Sequence, residues 1–175
     1  MRCFVDLRQV RISVAILGLV SATACESTPR IDPNAPDVAA YMQAVGPRKI
    51  EIQKFLTRPE ALAGGVDPDH LSVVLAVRDG MGDAVKALGT FHFELYTMRL
   101  ASSDKLDQRL ATWQSAVDSE KALRESWDRL SGYYRFPLEL PAKLPPGKYV
   151  LSARLVSPLG ETLFDEYPFT YPADK

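Results

Sequence analysis

HLSVVLAVRDGMGDAVKALGTFHFELYTM (His70–Met98) decides the fold, because its two ends alternate with a period of two. Leu71, Val73, Leu75 and Val77 fall on one side of an extended chain, and Phe91, Phe93 and Leu95 do the same. Such alternation is the mark of half-buried antiparallel strands, since successive side chains of a strand point to opposite faces. The joining segment DGMGDAVKALG has glycines for positive φ and is too short for a crossover helix. The two strands are therefore expected to be neighbours in one all-β layer.

Working outward, the same period appears on both sides. Upstream, KIEIQKFL alternates through Ile50 and Ile52. Downstream, YYRFPLEL alternates through Tyr134, Phe136, Leu138 and Leu140, and GKYVLSARLV through Tyr149, Leu151, Ala153 and Leu155. ETLFDEYPFTY follows the turn Ser157-Pro158-Leu159-Gly160, a strong hairpin signal. Pro137 and Pro168 lie within strands and so place those strands at edges or bulges, because proline donates no ladder hydrogen bond.

Two segments break the pattern. Asp37–Val45 reads as a short helix with Asp37 as its cap and Gly46-Pro47 as its stop. LATWQSAV is a candidate strand with Trp113 inward, and SEKALRESWDRLSG a helix with Leu123, Trp127 and Leu130 on one stripe. Glu120/Arg124, Lys121/Glu125 and Glu125/Arg129 would pair along it at i,i+4, each worth about 0.2–0.5 kcal/mol, and Gly132 offers a stop. This insert, about residues 118–131, lies across an end or edge of the sheet or forms a mobile flap.

On these residues the chain resembles known β-sandwiches. LPPGKYVLSARLVSPLGE is similar to the late hairpin of immunoglobulin-like and fibronectin-type domains, and residues 71–96 resemble the early hairpin of bacterial immunoglobulin-like and transthyretin-like modules. The resemblance implies a mainly β, antiparallel immunoglobulin-like sandwich over residues 37–175 with one amphipathic helical insert. Such sandwiches host many unrelated roles, so the fold does not choose a function.

The N-terminus carries a different message. Arg2, Arg8 and Arg11 precede an apolar run from Ile12 to Val20, then come Ser21, Ala22, Thr23 and Ala24, the order of an export signal. As a helix, Val14 to Ala24 would cover about 17 Å, short of the roughly 30 Å of a bilayer's hydrocarbon core. Ala22-Thr23-Ala24-Cys25 resembles the lipobox of bacterial lipoproteins, although that family usually has Leu where Ala22 stands. The resemblance implies a diacylglyceryl thioether and acyl chains such as palmitate on Cys25, with ordinary signal cleavage at the same small residues as the alternative. Of the two cysteines, Cys3 would leave with residues 1–24, and a lone exported thiol calls for a partner or a modification. Residues 25–36 then form a proline-bearing tether of at most about 40 Å.

Glu26 follows the cysteine where inner-membrane lipoproteins commonly have Asp, which tilts the implied address to the outer membrane. The layout is similar to that of uncharacterised bacterial envelope lipoproteins. Loss of residues 1–24 removes a net +2 and takes the formal charge from −1 to −3. The remainder has no basic stripe of the kind that neutralises nucleic-acid phosphates.

Chemistry has few candidates. The chain holds two histidines. His92 and Glu94, two apart on a strand, could bind a metal or act as acid and base, and a metal-dependent hydrolase would need a further carboxylate beside them. Asp67 and His70 of DPDH, and Asp79 with Asp83, could offer ligands to a cation, but Asx turns explain them more simply. No nucleophile elbow, phosphate-cradling loop, dinucleotide fingerprint or paired-cysteine zinc spacing is present. Tyr133, Tyr134, Tyr149, Tyr167, Trp113 and Trp127 could form a sugar platform, yet most are at inward positions, and Tyr133 is the best outward exception.

The expectation is a noncatalytic, membrane-anchored envelope protein without a cofactor, serving a structural, assembly or binding role with a possible envelope protein partner. A carbohydrate- or ligand-binding module is the alternative.

Overall fold

The computed structural model describes residues 32, 35–61, 68–99, 106–158 and 160–172. The chain is mainly antiparallel β. Its elements, in order, are α1 (Pro36–Val45), β1 (Lys49–Ile52), β2 (Arg58–Glu60), β3 (His70–Arg78), β4 (Gly89–Met98), β5 (Leu106–Val117), α2 (Glu120–Ser126), β6 (Trp127–Asp128), β7 (Tyr133–Glu139), β8 (Gly147–Val156) and β9 (Thr162–Tyr171). One sheet runs β1-β3-β7-β6, with β2 also on β3, and the other runs β5-β4-β8-β9.

The expected hairpin of the opening stretch is not there. β3 pairs with β1, β2 and β7, whereas β4 pairs with β5 and β8, so Asp79–Leu88 carries the chain from one sheet to the other. Alternation marks a strand's buried side and is blind to its partner. Here the two buried sides face one another: Phe91 and Phe93 of β4 meet Phe136 of β7 at ring-centroid distances of 4.9 and 5.0 Å, and Phe91 meets Tyr134 at 5.1 Å. Leu71, Val73, Leu75 and Val77 join the same core with Leu151, Ala153 and Leu155 of β8.

The crossing segment is itself fixed. Val85 N–H donates to Val77 O (2.9 Å), and the Tyr134 hydroxyl accepts from Ala87 N–H (2.6 Å) and donates to Ala87 O (2.9 Å). One side chain of β7 thus satisfies both backbone groups of a buried residue that no ladder serves. At the entry to β4, Gly89 has φ +151°, and a Cβ there would sit 2.4 Å from Val156 O and 2.8 Å from a Leu155 methyl. Gly89→Ala should therefore cost about 1–3 kcal/mol, seen as a lower urea midpoint at unchanged slope.

KIEIQKFL is a strand only to Ile52. Gln53–Leu56 turns outward, leaving Phe55 97% exposed, and β2 resumes the pairing with β3 at Arg58. The gap is bridged by buried Thr57, whose hydroxyl accepts from Val74 N–H (3.0 Å) and donates to Val74 O (3.2 Å). The late hairpin is as expected, with β8 and β9 paired along their whole length and Gly160 at φ +83° in the turn. Pro168 lies on the edge strand β9, and Pro137 on the part of β7 that pairs with β3 alone.

Both helices differ from expectation at their ends. α1 begins at Pro36, with Ala35 before it and Asp37 in the first turn instead of at the cap. Proline suits that first position because its missing N–H would be unsatisfied anyway. α2 is capped by Ser119, whose hydroxyl accepts from Ala122 N–H, but it stops at Ser126 instead of running to Leu130. Trp127 is extended (φ −93°, ψ 117°) and pairs with Tyr134 as β6. Leu130 is consequently 99% exposed rather than on an inner stripe. Of the expected helix pairs, Glu120–Arg124 and Lys121–Glu125 form, while Arg129, beyond the helix end, has no ion pair among the described residues.

Candidate functional site

Cys25, the export-signal reading of residues 1–24 and Asp67 lie outside the described residues. No helix among the described residues is long and apolar enough to cross a membrane.

His92 and Glu94 do share the outer face of their sheet, as the period of β4 requires. The sheet gives each a different neighbour: His92 lies beside Gln114 and Arg154, while Glu94 accepts a 2.9 Å bond from Arg109 Nη1. That carboxylate also helps push the Tyr96 phenol up, although burial is the larger cause. Glu94 is thus held in a surface ion pair, and a metal or a proton in transit would have to displace a guanidinium.

His70 is buried at the start of β3, with Nδ1 2.9 Å from Asp69 Oδ1 and Nε2 3.9 Å from Glu60 Oε2. Asp79 makes the expected Asx turn: its Oδ1 accepts from Met81 N–H and Asp83 N–H, both at 2.9 Å. Among the described residues, no three or more His, Cys, Asp and Glu side chains are grouped to hold a metal.

The aromatic residues are mostly spent on packing. Tyr134 and Tyr149 are buried, Trp113 Nε1–H donates to Glu139 O (2.7 Å), and the Tyr167 hydroxyl donates to Lys54 O (3.0 Å). Tyr167 and Asp165, which accepts from Ile52 N–H at 2.8 Å, reach across from β9 to close the flank of the sandwich against β1. Tyr133, the expected outward exception, is half-buried.

Trp127 stands apart. It lines a cleft of about 470 Å³ together with Lys86 from the β3–β4 crossing, Glu120, Leu123 and Arg124 from α2, and Arg129 from the turn after β6. Each wall has a local cause. Ending α2 at Ser126 turns Trp127 onto Tyr134, ring centroids 4.9 Å apart and edge-on. The next turn is built on Asp128, whose carboxylate accepts from Leu130 N–H and from the Ser131 hydroxyl, both at 2.9 Å, so that its pKa is held below the usual carboxylate value. Gly132 closes the turn with φ +70°, its N–H donating a hydrogen bond to Asp128 O (2.9 Å). Arg129 thereby lines the same cleft as Lys86, which the crossing segment carries.

Within the cleft, Glu120 is bound by Arg124 at 2.5 Å. Lys86 and Arg129 have no hydrogen bond or ion pair among the described residues, and neither has the Trp127 indole N–H. Because every buried side-chain polar atom among the described residues is satisfied, that indole N–H must reach solvent. The sequence offered Trp127 as a candidate aromatic and held no signal for Lys86 or for the freeing of Arg129. No family model matches the chain, and none of the curated proteins matches it significantly.

Proposed function

We propose that this chain is a noncatalytic lipoprotein of the bacterial cell envelope, exported and held at the outer membrane by acyl chains on Cys25, with its sandwich serving a structural or binding role. The observation that carries this is the order of basic residues, apolar run, small residues and cysteine between Arg2 and Cys25. Each buried methylene adds about 0.8 kcal/mol, so one acyl chain binds marginally while two or more give a lasting anchor. The late β8–β9 hairpin supports reading the sandwich as immunoglobulin-like.

The hydrolase reading has little to build on, since Glu94 is engaged by Arg109 and Asp79 by its own turn. The alternative of a ligand-binding module is favoured by one feature, the cleft at Trp127.

Membrane fractionation tests the anchor. The wild-type protein should be recovered with membranes and Cys25→Ala in the soluble fraction, and mass spectrometry of the mature N-terminus should find a diacylglyceryl-cysteine. An unmodified thiol, or cleavage at another bond, would end the lipoprotein reading.

A further inference from the structure

We propose that the cleft lined by Lys86, Arg129 and Trp127 binds a sugar bearing a negatively charged group, a carboxylate or a phosphate. The inference deepens the ligand-binding reading above and rests on it, while standing apart from the anchor at Cys25.

Three observations converge. The cleft, about 470 Å³, is in the size range of small-molecule sites. Its charge is one-sided: Lys86, Arg124 and Arg129 face a single acid, Glu120, which Arg124 already holds. The two cations left over sit on separate elements. The β3–β4 crossing and the Asp128 turn fix their backbones, so their juxtaposition is built by tertiary structure and not by a run of basic residues.

The lining also matches the rest of such a ligand. Leu123 and Trp127 give the cleft an apolar wall, against which the C–H face of a pyranose can pack, and the indole N–H reaches solvent as a donor for a ring hydroxyl. Trp113, the other tryptophan, is committed to Glu139 O and offers no comparable donor. A guanidinium grips carboxylate or phosphate through two parallel N–H donors, and an ammonium adds a point charge. Cation and ring recognition together predict that a charged sugar is bound more tightly than either its neutral counterpart or the bare anion.

The test uses the processed protein purified from membranes in mild detergent, with the two tryptophan indole N–H resonances as reporters. Glucuronic acid, glucose 6-phosphate, glucose and inorganic phosphate are titrated separately. At least one of the two charged sugars should shift the Trp127 indole resonance, with a dissociation constant below about 10 mM, and leave Trp113 in place. The tighter of the two identifies the anionic group. Glucose and inorganic phosphate should each bind about tenfold more weakly or worse, and added salt should weaken the charged sugar.

Lys86→Ala and Arg129→Ala, both exposed changes expected to keep thermal stability within about 0.5 kcal/mol, should each weaken binding about tenfold. The site is overturned if neither charged sugar binds, if glucose or bare phosphate does as well, or if binding survives both substitutions. In the last case a ligand-binding role stands and its site lies on another face. None of these results alters what Cys25→Ala reports about the anchor.

Discussion

Phe91→Ala should lower the unfolding free energy by about 3–5 kcal/mol, the range for emptying a large aromatic site in a packed core. Phe91 is fully buried and touches both partners of the opposite sheet, with Tyr134 at 5.1 Å and Phe136 at 4.9 Å, besides Phe93 on its own strand. Neither sheet can collapse locally into the space, because the rings around it are held by the ladders of β4 and β7. Equilibrium urea unfolding followed by tryptophan fluorescence measures the loss. His92→Ala, one residue along and on the other face, should cost less than about 1 kcal/mol. Equal losses at the two positions would mean that the sheets do not pack through this face.

Tyr134→Phe should cost about 2–6 kcal/mol at neutral pH, although only one oxygen is removed. That hydroxyl serves both the N–H and the C=O of Ala87, which is itself buried, and each group left unsatisfied costs about 1–3 kcal/mol. The same phenol makes stability depend on alkaline pH. Burial pushes its pKa up to about 12, against a smaller opposing effect of the Ala87 bond, while in the unfolded chain it ionises near its ordinary value of 10. Between those values the unfolded chain gives up a proton that the folded chain retains. The stabilisation is therefore complete below about pH 10 and is lost as pH rises through about 12, a change on the order of 3 kcal/mol. Urea midpoints measured at pH 8 and pH 11 should fall less in Tyr134→Phe than in the wild type. Some fall should remain, because burial also raises the Tyr149 and Tyr167 phenols.

These two residues connect the core to the cleft. Tyr134 packs on Phe91 from one side and takes the edge of Trp127 on another, while its hydroxyl ties down the segment that presents Lys86. Damage at Tyr134 should therefore loosen the cleft as well as the sandwich, whereas Lys86→Ala and Arg129→Ala should touch the cleft alone.

What the sequence determined by itself was everything that depends on near neighbours along the chain. The period of two named the buried side of β3, β4, β7 and β8 residue by residue, from Leu71 through Leu155, because the pleat sends alternate side chains to opposite faces wherever the strand ends up. Gly160 placed the last hairpin, since a tight turn with positive φ is a property of a few adjacent residues. The proposed export tag is likewise read from a local pattern, on residues outside the described ones. Tertiary structure alone decided which strands pair, because partners are chosen by competition among distant segments for one core, and alternation is satisfied equally by a hairpin and by a crossing between sheets. It decided where α2 ends too: the i,i+4 pairs would have carried the helix to Leu130, but pairing Trp127 with Tyr134 packs the half-buried indole edge-on against that ring. Lys86 and Arg129 come to line one cleft only as a consequence of those two choices, which is why no spacing in the chain announced it.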